Sequence, residues 1–342
     1  MRVLGRTDEN GATGHLGAYR ARDGSAGARV HVDVDRPHAA LVVGKRGYGK
    51  SYTLGVLVEE LAAVDGVVPV VADPMAAFET FADCPGGIEV LHSPCVQADA
   101  LAPRAWCDLL GLEREGAAGS LVWRAAVESS SLPEMREWVR GAAAPDATRR
   151  AAENHLALAD SWNAFAEDGV TASDLTAASG VVLNLAGYDP APMNAVVRAA
   201  ASALYDARLA DRGPLPWLLV DEAHAFFDGV AGPALRTLLT RGRRPGVSLV
   251  AATQRPDALP GVAVSQADLL VSHRLTSRAD LDALSRSRPT YMGASLADRM
   301  PDAPGEAVVV DDATETVHSI RVRERAVPHG GESPRASELR NR

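Results

Sequence analysis

The sequence predicts an α/β protein built on a mostly parallel sheet with helices on both faces. Two observations carry this. Short apolar runs recur along the chain, at Ala39 to Val43, Val67 to Ala72, Val181 to Leu185, Trp217 to Val220, Val247 to Thr253 and Leu269 to Leu275. They lack the polar alternation of a half-exposed strand, as strands covered on both faces do. Stretches with apolar residues at helical spacing separate several of them, the alternation that places parallel strands beneath crossover helices.

Residues 1–38 are rich in Gly, Asp and Arg and read as a lead-in, with one edge strand around Val30 to Val34. Residues 39–97 hold the first part of the core. There Ala39 to Val43 runs into a glycine-rich loop, and Leu54, Leu57, Val58 and Leu61 then recur at helical spacing. The second run, Val67 to Ala72, ends at Asp73 and Pro74. Residues 98–175 are alanine-rich and helically periodic, but Pro133, Pro145 and the stretch near Gly116 break them into several short helices. This segment is a helical insertion.

Residues 176–326 return to the core. A helix from Pro192 to Leu209 places Met193, Val197, Ala200 and Leu204 on one face. Ala307 to Val310 and Val317 to Arg323 flank Asp311 and Asp312 as a hairpin. Residues 327–342 show no apolar pattern and read as a mobile tail.

With 342 residues, 46% apolar and 23% charged, the chain has the length and balance of a globular protein with a substantial core. It contains no apolar run of about 18 residues and no secretory leader, so a cytoplasmic protein without a membrane partner is expected. Cys84, Cys95 and Cys107 have spacings that fit neither a zinc site nor a disulfide framework. The net charge of −9 argues against a surface that coats nucleic acid generally, but a ring can line its pore with arginine and stay acidic outside. Only two lysines, Lys45 and Lys50, stand among 35 basic residues.

One of those two sits where phosphate chemistry needs it. Gly44, Lys45, Arg46, Gly47, Tyr48, Gly49, Lys50 and Ser51 fit G-x-x-x-x-G-K-[ST] in full, between a predicted strand and a predicted helix that continues through Tyr52. The glycines let backbone N–H groups turn inward around phosphates. The helix N-terminus adds its positive dipole end, Lys50 reaches the terminal phosphates, and the Ser51 hydroxyl can ligate Mg²⁺.

Asp221 and Glu222 follow the apolar run Trp217 to Val220, at the strand end where ligands bind in open α/β sheets. Asp221 can hold Mg²⁺ through its water shell, and Glu222 can orient and polarise an attacking water. An acidic pair also suits a helix start on electrostatic grounds alone; the phosphate loop favours the catalytic reading. A guanine reader of the N-K-x-D kind needs a lysine that neither Lys45 nor Lys50 supplies. ATP is therefore the expected nucleotide, and the water-activating glutamate favours hydrolysis over transfer to a metabolite.

Gln254 follows Val247 to Thr253 and is a candidate sensor of the γ-phosphate and water. Arg241, Arg243 and Arg244 close a helix before Pro245 and Gly246. They can serve as dipole partners there, or as an arginine finger inserted into a neighbouring subunit's site. His224 and His273 have no partner motif and read as structural.

Taken in order, GKRGYGKS, VVADP, WLLVDEAHAFFDG, TRGRRPGVSL and AATQRPDALP resemble the HerA/FtsK superfamily of P-loop motors, HerA-like DNA translocases in particular, across roughly residues 36–327. The resemblance implies a RecA-like core of strand order 5-1-4-3-2. It implies a homo-oligomeric ring, usually of six, with ATP between subunits and double-stranded DNA threaded through the centre. Residue by residue it assigns Lys50 and Ser51 to ATP and Mg²⁺, Asp221 and Glu222 to the Walker B roles, Gln254 to the sensor, and Arg243 or Arg244 to the finger in trans. Asp73 matches the aspartate that ends the second core strand. The family often pairs with a nuclease partner of the NurA type. Here about 38 residues precede the phosphate-loop strand, too few for the full β-barrel usual at that place. Protein-export and conjugation motors of the same superfamily, and a nucleotide-gated switch without turnover, are the alternative readings.

Overall fold

The computed structural model describes residues 2–8, 10–21, 25–83, 87–286 and 299–330. Three strands open the chain, β1 (Arg2–Leu4), β2 (Thr13–Arg20) and β3 (Ala26–Asp33). They are followed by β4 (Ala39–Val43), α1 (Lys50–Ala62), β5 (Val67–Asp73) and β6 (Ile88–His92). Helices α2 (Pro103–Leu109), α3 (Ala117–Glu128), α4 (Leu132–Gly141), α5 (Asp146–Ser161) and α6 (Ala172–Ala177) come next, ahead of β7 (Gly180–Asn184) and α7 (Pro190–Leu209). The chain continues with β8 (Leu215–Val220), α8 (His224–Phe227), α9 (Gly232–Arg241), β9 (Ser248–Thr253), α10 (Gly261–Gln266), β10 (Leu269–Ser272) and α11 (Arg278–Arg286). A hairpin of β11 (Glu306–Asp311) and β12 (Thr316–Val322) completes it.

The twelve strands of the described residues form one sheet in the order β1-β3-β2-β12-β11-β10-β4-β9-β8-β5-β7-β6. From β10 to β6 every neighbouring pair is parallel. The five-strand order 5-1-4-3-2 is therefore too short a description of the sheet, although β10-β4-β9-β8-β5 keeps that sequence when those five strands are numbered among themselves. Beyond β5 the sheet gains β7 and β6, and beyond β10 it turns antiparallel through β11, β12 and β2.

Alternate residues of the central strands enter two separate cores, as a period of two requires. On β4, Ala39, Leu41 and Val43 join the core beneath α7, α9 and the insertion helices, whereas Ala40 and Val42 join the core beneath α1. On β8, Leu218 and Val220 take the first side, and Trp217 and Leu219 the second. Both faces being apolar explains why these strands read as unbroken hydrophobic runs. Helix α1 turns Leu54, Leu57, Val58 and Leu61 into the second core, as its spacing predicts.

Three features depart from the sequence reading. The first 38 residues hold three strands, all in the main sheet. Strand β2 pairs with β12, about 300 residues away, a partner that no local pattern could supply. Strand β6 was not expected, because only Ile88 of its five residues is buried. Residues 327–330 pack against the body, with the Val327 N–H donating to Glu59 and the Thr80 hydroxyl donating to the Pro328 carbonyl. The rest of the expected tail, 331–342, lies outside the described residues, as does Cys84.

Candidate active site

The phosphate loop joins the carboxyl end of β4 to the first turn of α1 and has the backbone such a cradle requires. Gly44, Gly47 and Gly49 all take positive φ, at 154°, 79° and 114°, a region open to glycine. A Cβ on Gly44 would come within 2.6 Å of His273 Cβ, so the loop lies directly on the end of β10. The Lys45 N–H donates to the Arg274 carbonyl at 2.8 Å, and the Gly305 N–H to the Tyr48 carbonyl at 3.2 Å. Around Gly47, by contrast, a Cβ would meet nothing within 4 Å. Lys45 Nζ stands 4.5 Å from the centre of the Tyr48 ring, and Arg46 lines the open cleft.

Parallel pairing brings the other candidates to the same rim. Val220 of β8 is opposite Ala72 of β5 and Ala251 of β9, and Val43 of β4 is opposite Thr253 of β9. Asp73, Asp221, Gln254 and the phosphate loop therefore leave neighbouring strands at their carboxyl ends. The Ser51 hydroxyl donates to Asp221 Oδ2 at 2.6 Å. That single contact joins the loop to the acidic pair across about 170 residues of sequence. Lys50 is buried, and burial lowers its pKa against the opposing pull of Glu222 and Asp221.

Glu222 sits in the left-handed region, φ 46°. Its N–H donates to Asp221 Oδ1 at 2.9 Å, and the Ala223 N–H donates to the Ala252 carbonyl at 2.8 Å, so the turn is tied to β9. Burial raises the pKa of the Glu222 carboxyl and the Asp221 charge adds to this, while Lys50, His224 and the Gln254 N–H draw it back down. Its Oε2 is buried and accepts no hydrogen bond among the described residues. His224 Nδ1 stands 3.4 Å from this oxygen without a hydrogen bond, which leaves it acceptor capacity for a ligand.

Ser51 and Asp221 fit Mg²⁺, because a hydroxyl and a carboxylate are the small protein share that this ion takes when phosphates and water complete its shell. Among the described residues no group of three or more His, Cys, Asp and Glu side chains gathers as a protein-only metal site. The cleft over the loop measures ≈ 840 Å³ and is also lined by Tyr52, Met75 and Gly305. Such a volume accommodates a whole nucleotide.

Asp73 has a different task. It is fully buried, and its carboxylate accepts the N–H groups of Met75, Ala77 and Phe78 at 3.1, 3.1 and 2.9 Å. Burial, reinforced by Asp221, lifts its pKa to about 6 despite those bonds. It shapes the loop that carries Met75 to the cleft. His273 is also structural: Thr53 Oγ1 lies 2.9 Å from its Nε2 and the Glu306 carbonyl 2.8 Å from its Nδ1, and burial pushes its pKa down to about 4. His224 Nδ1 lies 3.1 Å from Thr253 Oγ1 and 3.4 Å from Glu222 Oε2, so it borders the site.

Arg243 and Arg244 follow α9 and precede β9, which places them at the amino ends of the strands, on the opposite rim from the phosphate loop. The two rims are the length of a six-residue strand apart, roughly 20 Å. Arg243 pairs with Asp268 at 2.8 Å. Asp268 also holds His38 Nδ1 at 2.6 Å, and His38 Nε2 faces Asp33 Oδ2 at 3.7 Å, with the buried Arg6 guanidinium on Asp33 Oδ1. Burial alone would lower the His38 pKa, but the hydrogen bonds to Asp268 and Asp33 outweigh it and raise the value to about 9. Sequence reasoning missed this cluster, since nothing in His38 or Asp268 marks them as partners. It missed the hairpin side of the cleft for the same reason.

No protein-family model matches this sequence, and no curated protein matches it. Among solved structures, VirB4 of Thermoanaerobacter pseudethanolicus is similar with a TM-score of 0.73 and 17% identity, over 94% of this chain and 99% of that one. The bacterial conjugative coupling protein TrwB in its unbound form is similar with a TM-score of 0.60 and 15% identity, over 96% and 99%. The plasmid coupling protein TrwB in complex with the non-hydrolysable GTP analogue GDPNP gives 0.55 and 14%, over 86% and 87%. At such identities the likeness is one of fold, and this chain shares the α/β fold of VirB4 and TrwB.

Proposed function

We propose that this chain is an ATP-hydrolysing motor subunit that works in a homo-oligomeric ring and translocates on double-stranded DNA, in DNA processing or repair. The observation that carries the reading is the Ser51–Asp221 contact, which sets the phosphate loop against the acidic pair at one rim of the sheet. Backbone N–H groups from Gly44 to Ser51 would wrap the phosphates, and Lys50, withdrawn from water, would act on them in a medium that screens little. Mg²⁺ held by Ser51 and Asp221 would neutralise charge on the phosphates. Glu222 would take the proton-bearing side of the attacking water on Oε2, which makes no hydrogen bond within the described residues, its raised pKa improving it as a base. Gln254, next on the rim, would report the state of the phosphate.

The finger is a trans element in this reading. Arg243 and Arg244 cannot serve their own chain's cleft from the opposite rim, so one copy would present its amino-end rim to the next copy's nucleotide, and Arg243 would exchange Asp268 for phosphate. Arginine-bearing loops would meet DNA phosphates without reading bases. A nuclease partner remains part of the proposal through the HerA resemblance.

A second reading, a conjugation-type or export motor, is favoured by the fold likeness to the conjugative coupling protein TrwB. It uses the same site and differs in partners. Among the described residues no helix is long and apolar enough to cross a membrane.

The test is nucleotide turnover by purified protein with ATP and GTP, with and without duplex DNA. ATP hydrolysis stimulated by duplex, and absent in Lys50→Ala, supports the motor. Hydrolysis that no nucleic acid changes rejects the DNA half and moves the weight to the second reading. Binding without turnover in the wild type would identify a switch.

A further inference from the structure

The cleft extends past the phosphate loop to a wall made by residues 323–330, which leave β12 and cross the outside of α1. This strap is seated by residues on α1 itself. Arg323 pairs with Glu59 at 2.7 Å and Glu60 at 2.6 Å, and Glu59 also accepts the N–H groups of Ala326 and Val327 at 3.1 and 3.0 Å. The Arg325 side chain lies over Gly55, where an added Cβ would come within 2.5 Å of its Cζ. Glycine inside a helix is unfavourable, and here it makes the room the guanidinium needs. Arg325 Cζ is 5.9 Å from the centre of the Tyr52 ring and 5.0 Å from that of Phe81, and the Arg325 N–H donates to Tyr52 Oη at 2.7 Å.

The strap thereby brings His329 beside Tyr52. Their rings are 5.8 Å apart at 71°, and both line the cleft together with Glu324. Arginine can only donate, so the 3.1 Å contact from Arg325 makes His329 Nδ1 an acceptor and leaves a ring proton on Nε2. Tyr52 directly follows Ser51 in the first turn of α1. Two aromatic rings, a donor at Nε2 and a carboxylate on one wall make a surface for a flat heterocycle with a polar sugar.

We propose that Tyr52 and His329 form the subsite for the nucleoside half of the nucleotide, with the base against the rings and Glu324 accepting from the ribose hydroxyls. This rests on the nucleotide reading above and adds the part of the site that the sequence motifs leave blank. Stacking on an aromatic ring tolerates any base, so the subsite distinguishes a nucleotide from bare phosphate more than one base from another.

The test measures binding and not turnover, by titrating the protein with ATP and, separately, with inorganic tripolyphosphate. His329→Ala is expected to weaken ATP about tenfold, the loss that one base–ring contact carries, and to leave tripolyphosphate within about twofold. His329→Phe, which keeps a ring, restores ATP. Tyr52→Ala gives the same signature from the other side of the subsite, and melting temperatures confirm that each variant is folded. If His329→Ala and Tyr52→Ala both weaken the two ligands equally, or weaken neither, the subsite is overturned. Lys50→Ala weakens both ligands; should it weaken neither, the phosphate-loop reading has failed and the subsite falls with it.

Discussion

At the amino ends of β4 and β10, Arg6, Asp33, His38, Asp268 and Arg243 hold one another, whereas at the carboxyl ends of β4 and β8, Lys50, Asp221 and Glu222 face a cleft. The two groups sit on opposite rims of one sheet. The difference lies in what surrounds the charges. On the first rim carboxylates alternate with cations, and the cluster ties the opening strands to the core. On the second, two carboxylates, Asp221 and Glu222, stand with Lys50 and His224 beside a cleft. A protein can thus carry two sets of buried charge with opposite consequences, one for folding and one for chemistry.

The comparison is broken most sharply at Glu222. Glu222→Gln keeps the shape and removes the base, and is expected to lower kcat about 10²- to 10⁴-fold with little change in melting temperature; steady-state kinetics beside a thermal melt check both halves. Asp268→Asn should show the reverse pattern. Removing one partner of a buried pair costs roughly 3–5 kcal/mol, read by denaturant unfolding, while ATP affinity stays within about twofold. Comparable losses of kcat and of stability from the two substitutions would erase the distinction between the rims.

The two buried histidines sharpen it with pH. His38 holds its proton more tightly when folded, so its contribution is fully present below pH 6.5 and is lost as pH rises through about 9. His273 is kept neutral by the fold, so its contribution is present above pH 6.5 and is lost as pH falls through about 4. Each amounts to on the order of 3 kcal/mol. Unfolding free energies measured across that span should fall at both ends, and His38→Gln should flatten the alkaline side alone. A variant that flattens the acid side instead would reverse the assignment.

The motif-bearing strands were legible because they depend on local pattern, whereas the central order of the sheet came only through the family resemblance. Strands β4, β5, β8 and β9 are apolar on both faces, and Gly44 to Ser51 and Asp221–Glu222 each carry their chemistry within a few adjacent residues. What escaped depends on partners far away in sequence. Strand β6 has one buried residue in five, too weak a signal to register. Strand β2 is specified by β12, and the strap by Gly55, Glu59 and Glu60 on a helix about 270 residues earlier. His38 reads as a lone histidine until Asp268 is folded next to it. The arginines after α9 are legible as a basic group, but their rim is settled only by which strand end they adjoin.

Glu222 occupies a backbone conformation that suits asparagine or glycine better than glutamate, and it does so half-buried with an oxygen unsatisfied. A chain selected for toughness alone would not keep it. Glu222→Asn should relax the turn and remove an ionisable group from a dry place, raising the unfolding free energy by about 1 kcal/mol while leaving the protein idle. Denaturant titration of that variant would gauge how much resilience this molecule forgoes to hold a carboxylate in that turn.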